Sequence, residues 1–306
     1  MKTQINSILI PTDFSVLSES ALKVGIAIAR RQKAEITLLH VVDRFTYLQP
    51  TEVFLPDFRL TPDLILTMED RLKELANKIQ LDTGIKTTGI VLDGQPADRI
   101  CRFAHEEKIS LIVMGTHGTS GIREFFIGSE AFRVVKNATC PVLTVPGEWD
   151  KTDFEKVLLP IRLMPGAIEK YFFSRPIIEK NNSETFLLGL TDKKKPAEIK
   201  DLAVLLDMLK IQLRSDNVEF QSAFSPCDDF PAKVISVAKD FEADLIVLTA
   251  NLDYDFKAYF VGPFAQQVIN HSKLPVLSIK PANNLVEPQA QQDLAQNWGK
   301  SISFRI

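Results

Sequence analysis

The residues best equipped for chemistry lie between Leu111 and Ala131, in the run Leu-Ile-Val-Met-Gly-Thr-His-Gly-Thr-Ser-Gly-Ile-Arg-Glu-Phe-Phe-Ile-Gly-Ser-Glu-Ala. Leu111 to Met114 is short, apolar and β-prone, as a buried parallel strand should be. Gly115, Gly118 and Gly121 follow in quick succession. Glycine allows positive φ and leaves no Cβ in the path of an approaching ligand. Gly128-Ser129 then opens a helical pattern in which Ala131, Val134 and Val135 share the sheet-facing side. The start of such a helix offers free N–H groups and the positive end of the helix dipole, which together make an anion site. The same residues also fit a plain turn with Ser129 as a helix cap.

Spacing separates the two readings. Gly115-x-x-Gly118, nine residues, then Gly128-Ser129 resembles the phosphate loop of the universal stress protein family, G-x-x-G-x9-G-[ST]. No Gly-Lys-Ser/Thr follows, so it is not a Walker loop, and the dinucleotide spacing G-x-G-x-x-G is missing. Pro11-Thr-Asp-Phe-Ser resembles the family's first-strand signature, and Val41 in Leu38-Leu-His-Val-Val-Asp matches the position whose backbone meets adenine. The resemblance implies ATP as ligand, with Mg2+ as an optional companion. Its contacts would come from Pro11, Thr12, Asp13, Val41, Met114, Gly115, His117, Gly118, Gly128, Ser129 and Glu130. Asp13 also fits a cap for a helix beginning near Ser15, the lesser of its two readings beside the ligand contact that the resemblance implies. His117 has no nucleophile beside it, so no catalytic residue and no resident metal site are assigned.

These residues need a scaffold that brings several loops to one place. The chain alternates strands and helices. Strands are expected at Ile5–Ile10, Ile36–Val42, Lys86–Leu92, Leu111–Met114 and Pro141–Val145. Helices are expected after Ser15, over Asp63–Asp82, after Gly94-Gln-Pro-Ala and from Gly128. Such alternation implies right-handed crossovers and a parallel sheet covered on both faces, with ligands beyond the strand carboxyl ends.

The second half repeats the first. Leu245-Ile-Val-Leu lies 134 positions after Leu111-Ile-Val-Met, and Val261-Gly-Pro-Phe and Leu274-Pro-Val-Leu keep the same offset from Ile127-Gly-Ser-Glu and Cys140-Pro-Val-Leu. Val157-Leu-Leu-Pro echoes Ile8-Leu-Ile-Pro, and Pro231-Ala echoes Pro96-Ala. The fold expected is α/β: two tandem Rossmann-like domains, each a five-stranded parallel sheet with helices on both faces. The boundaries are 1–147, 155–281 and a tail, 282–306. In the second copy Thr249, Leu252 and Asp255 replace the three glycines, Pro263 replaces Ser129, and Arg162 answers Asp13. Side chains stand where phosphate needs bare backbone, so that copy is not expected to bind ATP.

Composition narrows the function classes. The chain has 306 residues, 45% hydrophobic and 25% charged, with Lys+Arg 36 against Asp+Glu 39 and net charge −3. That excludes a basic nucleic-acid footprint over the whole chain. No apolar run is long enough to span a bilayer. Three scattered cysteines, Cys101, Cys140 and Cys227, and a first strand without a signal-peptide core favour a cytoplasmic protein. The resemblance implies a nucleotide-dependent stress-response sensor or regulator in which ATP orders the loop Thr116 to Ile127 for an unidentified protein partner. The last strands of the two copies, Pro141–Val145 and Pro275–Ile279, would pair within one chain, with a homodimer as a further option. A slow ATP hydrolase and a nucleotide-independent scaffold with another ligand in the second copy are the alternatives.

Overall fold

The computed structural model describes residues 4–43, 62–116, 128–193, 197–250, 252–253, 260–261 and 263–280. The first half runs β1 (Ser7–Pro11), α1 (Val16–Gln32), β2 (Glu35–Val42), α2 (Pro62–Thr83), β3 (Thr87–Asp93), α3 (Pro96–Glu106), β4 (Leu111–Gly115), α4 (Ser129–Asn137) and β5 (Val142–Val145). The second runs β6 (Lys156–Ile161), α5 (Glu169–Asn181), β7 (Glu184–Asp192), α6 (Glu198–Ser215), β8 (Phe220–Cys227), α7 (Phe230–Asp240), β9 (Leu245–Thr249), β10 (Leu252–Asp253), β11 (Phe260–Val261), α8 (Pro263–His271) and β12 (Val276–Ile279).

Ten strands form one sheet in the order β3-β2-β1-β4-β5-β12-β9-β6-β7-β8. Each half is parallel within itself, and the halves meet where β5 and β12 pair antiparallel, with Leu277 opposite Leu143 and Val276 opposite Thr144. The strands are apolar on both faces because helices cover both. Ile8 and Ile10 pack beneath α1, whereas Leu9 joins the opposite layer with Ile100, Val134 and Val135. Both layers continue through the seam into the second half. Gly25 on α1 marks how close that packing is: a Cβ there would lie 2.5 Å from Ile10 Cδ1.

The join between the halves is part of the core, although its composition is polar. Phe154 is fully buried. The buried carboxylate of Asp244 accepts from Glu155 N and Lys156 N at 3.1 Å and from Lys151 Nζ at 2.7 Å. Ser20 Oγ donates to Gly147 O at 2.8 Å, Arg31 pairs with Asp153, and Gln32 Nε2 donates to Pro176 O at 2.7 Å. The repeat is regular in space: β4, α3, α4 and β5 recur as β9, α7, α8 and β12 at one offset. That register sets Phe230, rather than Pro231, opposite Pro96.

Leu277 lies in the seam and is buried. Leu277→Ala is expected to cost about 2–5 kcal/mol through lost burial and the cavity left behind. The readout is a lower urea midpoint by circular dichroism.

Candidate functional site

In the first half β1 continues to β2 on one side of the sheet order, while β4 continues to β5 on the other. The crevice beyond the carboxyl ends of β1 and β4 is therefore the switch point at which open α/β sheets hold ligands. One wall is the turn Pro11–Ser15. Thr12 N still bonds Leu39 O at 2.9 Å, as though the strand continued. Thr12 Oγ1 then accepts from Phe14 N at 3.1 Å, and Asp13 Oδ1 accepts from Ser15 N at 3.0 Å and Ser15 Oγ at 2.6 Å. Ser15 caps α1, its Oγ accepting from Ser18 N.

Phe14 takes a left-handed backbone, φ 60. For a residue with a Cβ that costs about 1–2 kcal/mol. Its ring packs against His40, with centroids 4.9 Å apart, and beneath the Arg71 guanidinium at 4.2 Å. His40 is buried, and its Nδ1 lies 2.8 Å from Thr12 O. A carbonyl only accepts, so Nδ1 carries the proton.

The other wall is the end of β4 and the start of α4. Thr116 N donates to Val145 O at 3.0 Å, and Gly128 N donates to Thr116 O at 2.7 Å, joining the two stems of the glycine-rich stretch. Gly128 is the N-cap of α4 in an extended conformation, φ −57 and ψ 149. The first turn of α4 carries N–H groups that no preceding turn can satisfy. Glu130 faces away from this role: its Oε2 accepts from Ala97 N at 2.8 Å and its Oε1 pairs with Arg133 at 3.2 Å. Its carboxylate caps α3, so what Glu130 offers the crevice is backbone.

The structure thus brings Pro11, Thr12 and Asp13 to one wall and Met114, Gly115, Gly128 and Ser129 to the other, with Val41 one strand away on β2. His117, Gly118 and Gly121 lie outside the described residues, as does the loop between Thr116 and Gly128 that ATP is expected to order. In the sequence His40 reads as a core or strand-end histidine, and Phe14 only as part of the first-strand signature. A histidine inside an apolar strand reads as packing, and nothing in the spelling Phe14-Ser15 announces a left-handed residue. Among the described residues, no group of three or more His, Cys, Asp or Glu side chains is placed to hold a metal ion.

The second half keeps the scaffold and changes the lining. Ala250 N donates to Ile279 O at 2.8 Å, just as Thr116 N donates to Val145 O. Where the glycines would stand, Leu252 and Asp253 pair antiparallel with Val261 and Phe260. α8 begins on Pro263, which has no N–H. The Arg162 guanidinium sits between the rings of Phe230, at 4.5 Å, and Phe264, at 4.8 Å. Phe264 occupies the place of Glu130, and α7 is capped instead by Asp229, whose Oδ1 accepts from Ala232 N at 3.0 Å.

The sequence profile of the universal stress protein family matches residues 4–146. A universal stress protein of Methanocaldococcus jannaschii is 38% identical over 139 residues, 45% of this chain and 80% of its own. One from Bacillus subtilis is 32% identical over 145 residues, 46% of this chain and 98% of its own. The crystal structure of a universal stress protein from Archaeoglobus fulgidus superposes with a TM-score of 0.73 at 20% identity, covering 91% of this chain and 99% of that one. That likeness concerns the fold, and it extends through both halves. The chain belongs to the universal stress protein family.

Lys170, on α5, is a further departure of the second half. Its side chain is buried and donates to the Pro160 carbonyl at the end of β6. Burial, and secondarily the Arg162 charge, pull its ammonium down to about 7. Below about pH 7 the group is charged in both folded and unfolded chains. Between about 7 and the ordinary lysine value of about 10.4 the unfolded chain holds a proton that the folded chain lacks, so stability rises with pH. The half-buried thiols of Cys101 and Cys140, pushed up by desolvation to about 11 and about 12, act in the opposite sense above the ordinary thiol range. Urea midpoints measured from about pH 7 to 9 are therefore expected to rise more steeply for the unaltered chain than for Lys170→Met. Equal slopes would show that Lys170 does not titrate there.

Proposed function

We propose that the first half binds an adenine nucleotide, ATP with or without Mg2+, and that the second half does not bind ATP. The observation that carries this reading is the meeting of a helix N-terminus with a strand-end turn at the sheet's switch point. Gly128 supports it in a specific way. Its φ of −57 is open to any residue, so its backbone conformation does not require glycine, and a bare Cα is what close approach of a phosphate would require. In this reading Ser129 and the first-turn N–H groups of α4 face phosphate. Gly115 and Met114 line the ribose side, while Pro11, Thr12, Asp13 and the backbone at Val41 take the nucleoside. His117 and Gly118 complete the phosphate loop.

Residues 1–147 and 155–281 then act as two domains, one liganded and one supporting, followed by a tail. Adenine nucleotide changes the surface around the stems at Thr116 and Gly128, and a protein partner reads that surface as a stress-response signal. Ligand can shift such a surface only by its differential affinity for the two states. The changed lining of the second crevice supports its silence toward ATP: Arg162 lies over the rings of Phe230 and Phe264, and α8 lacks an N–H at its first residue. Among the described residues no helix is long and apolar enough to cross a membrane.

The test is to purify the protein without added nucleotide, denature it, identify the released small molecules by mass spectrometry, and titrate the apo chain with ATP and Mg2+ by calorimetry. One site per chain is expected. Gly128→Val, folded by circular dichroism, should weaken binding at least about tenfold, a loss of about 1.4 kcal/mol. No released nucleotide and no heat of binding would overturn the reading.

A further inference from the structure

We infer that His40 is a positioning residue of the nucleotide site: its Nδ1–H, bonded to the Thr12 carbonyl, fixes the turn that carries Asp13 into the crevice. The inference rests on the nucleotide reading of that crevice. Within the turn, the Thr12 and Ser15 side chains bond to groups between Thr12 and Ser18, and Asp13 Oδ1 accepts from Ser15. Such bonds give a turn its shape. They do not set how it leans over the sheet. The His40 contact at 2.8 Å reaches across to the neighbouring strand and grips the carbonyl immediately before Asp13. The same imidazole packs against the Phe14 ring, over which the Arg71 guanidinium also lies. The left-handed Phe14 therefore lies back over β2.

The second half provides an internal control. Pro11 pairs with Leu39 in β1–β2, and Pro160 pairs with Leu188 in β6–β7. That register places Gly189 where His40 stands, Arg162 where Asp13 stands and Leu163 where Phe14 stands. Among the described residues, Leu163 is not one of those with positive φ. A Cβ at Gly189 would come within 2.7 Å of Leu206 Cδ1, so the space above that strand is already taken by α6. Were His40 needed only to build the strand and its helix cover, the repeat would need a counterpart. It folds the same elements with none. The histidine, the left-handed residue and the aspartate are absent together from the half whose phosphate loop has changed.

Two substitutions separate the donor from the ring. His40→Phe keeps a ring against Phe14 and loses the donor, whereas His40→Asn places an amide N–H where Nδ1 stood and loses the ring. ATP affinity by calorimetry and thermal midpoint are measured for both. His40→Phe should bind ATP about tenfold more weakly, the usual consequence of one lost hydrogen bond, and His40→Asn should stay within about threefold of the unaltered chain. Should His40→Phe fail to fold, His40→Gln, whose amide reaches the Nε2 rather than the Nδ1 position, is expected to show the same weakening. A role in packing alone predicts the reverse, with midpoints lowered in every variant and affinity unchanged in those that fold. Equal ATP affinity in a folded His40→Phe or His40→Gln chain would overturn this inference alone. Absence of ATP binding by the unaltered chain would overturn it together with the nucleotide reading.

Discussion

The antiparallel pairing of β5 with β12 is the constraint from which the rest follows. A parallel five-stranded sheet ends in strands whose backbone N–H and C=O groups must find partners or invite other chains. Here the last strand of each half satisfies the other's. Thr144 Oγ1 reinforces the seam by donating to Val276 O, and Lys280 reaches across to the Lys136 carbonyl. Because both strands are buried on both faces, their side chains continue the two apolar layers from one half into the other. Neither half can lose its final strand without opening the core of its neighbour.

That seam also governs how far the two crevices can diverge. Antiparallel pairing turns the carboxyl ends of the second set of strands to the opposite end of the sheet from those of the first. The β1–β4 and β6–β9 crevices therefore open away from each other. The second half meets its structural duty through β12 and its core, leaving its lining unconstrained by that duty. The observed changes come as compensated sets. Removing a carboxylate at Phe264 would leave the start of α7 uncapped, and Asp229 supplies a cap. An arginine near two helix N-termini opposes their dipoles, and the ring faces of Phe230 and Phe264 offset that charge.

The fold was legible because its signals are periodic and redundant. Ile8, Leu9 and Ile10 alternate between two buried layers, and Leu72, Ala76 and Ile79 repeat at helical spacing, so one ambiguous residue does not change the assignment. The repeat offset of 134 likewise marked β9, the start of α8 and β12. Much of the proposed site was legible for a different reason: glycine spacing records where backbone must be bare. What escaped were relations between side chains of separate elements. That Glu130 turns from the crevice to Ala97 N depends on how α3 and α4 pack, and no local pattern encodes it. The contacts of the join at 147–155 escaped in the same way, since it bonds to Asp244, Ser20 and Arg31, which lie far away in sequence.

His40 shows why such relations matter more at the site than in the core. A core leucine can be replaced in function by any neighbour that fills the volume, and the apolar pattern is enough to specify it. The Thr12 carbonyl needs a donor at one point in space, supplied by a strand whose register with β1 is set by hydrogen bonds along its whole length. The turn is strained at Phe14, and strain of that kind persists only where surrounding contacts over-determine it. Those contacts come from β2 through His40, from α2 through Arg71 and from α1 through Ser15 and Ser18. Three elements converge on one four-residue turn. The corresponding stretch of the second half has the same sheet beneath it, a glycine in place of the histidine, and other supports: Lys170 of α5 donates to the Pro160 carbonyl, and Phe230 of α7 and Phe264 of α8 meet Arg162. The fold therefore permits the turn without requiring it, and the cost of holding it falls on residues whose joint purpose is local to the first crevice.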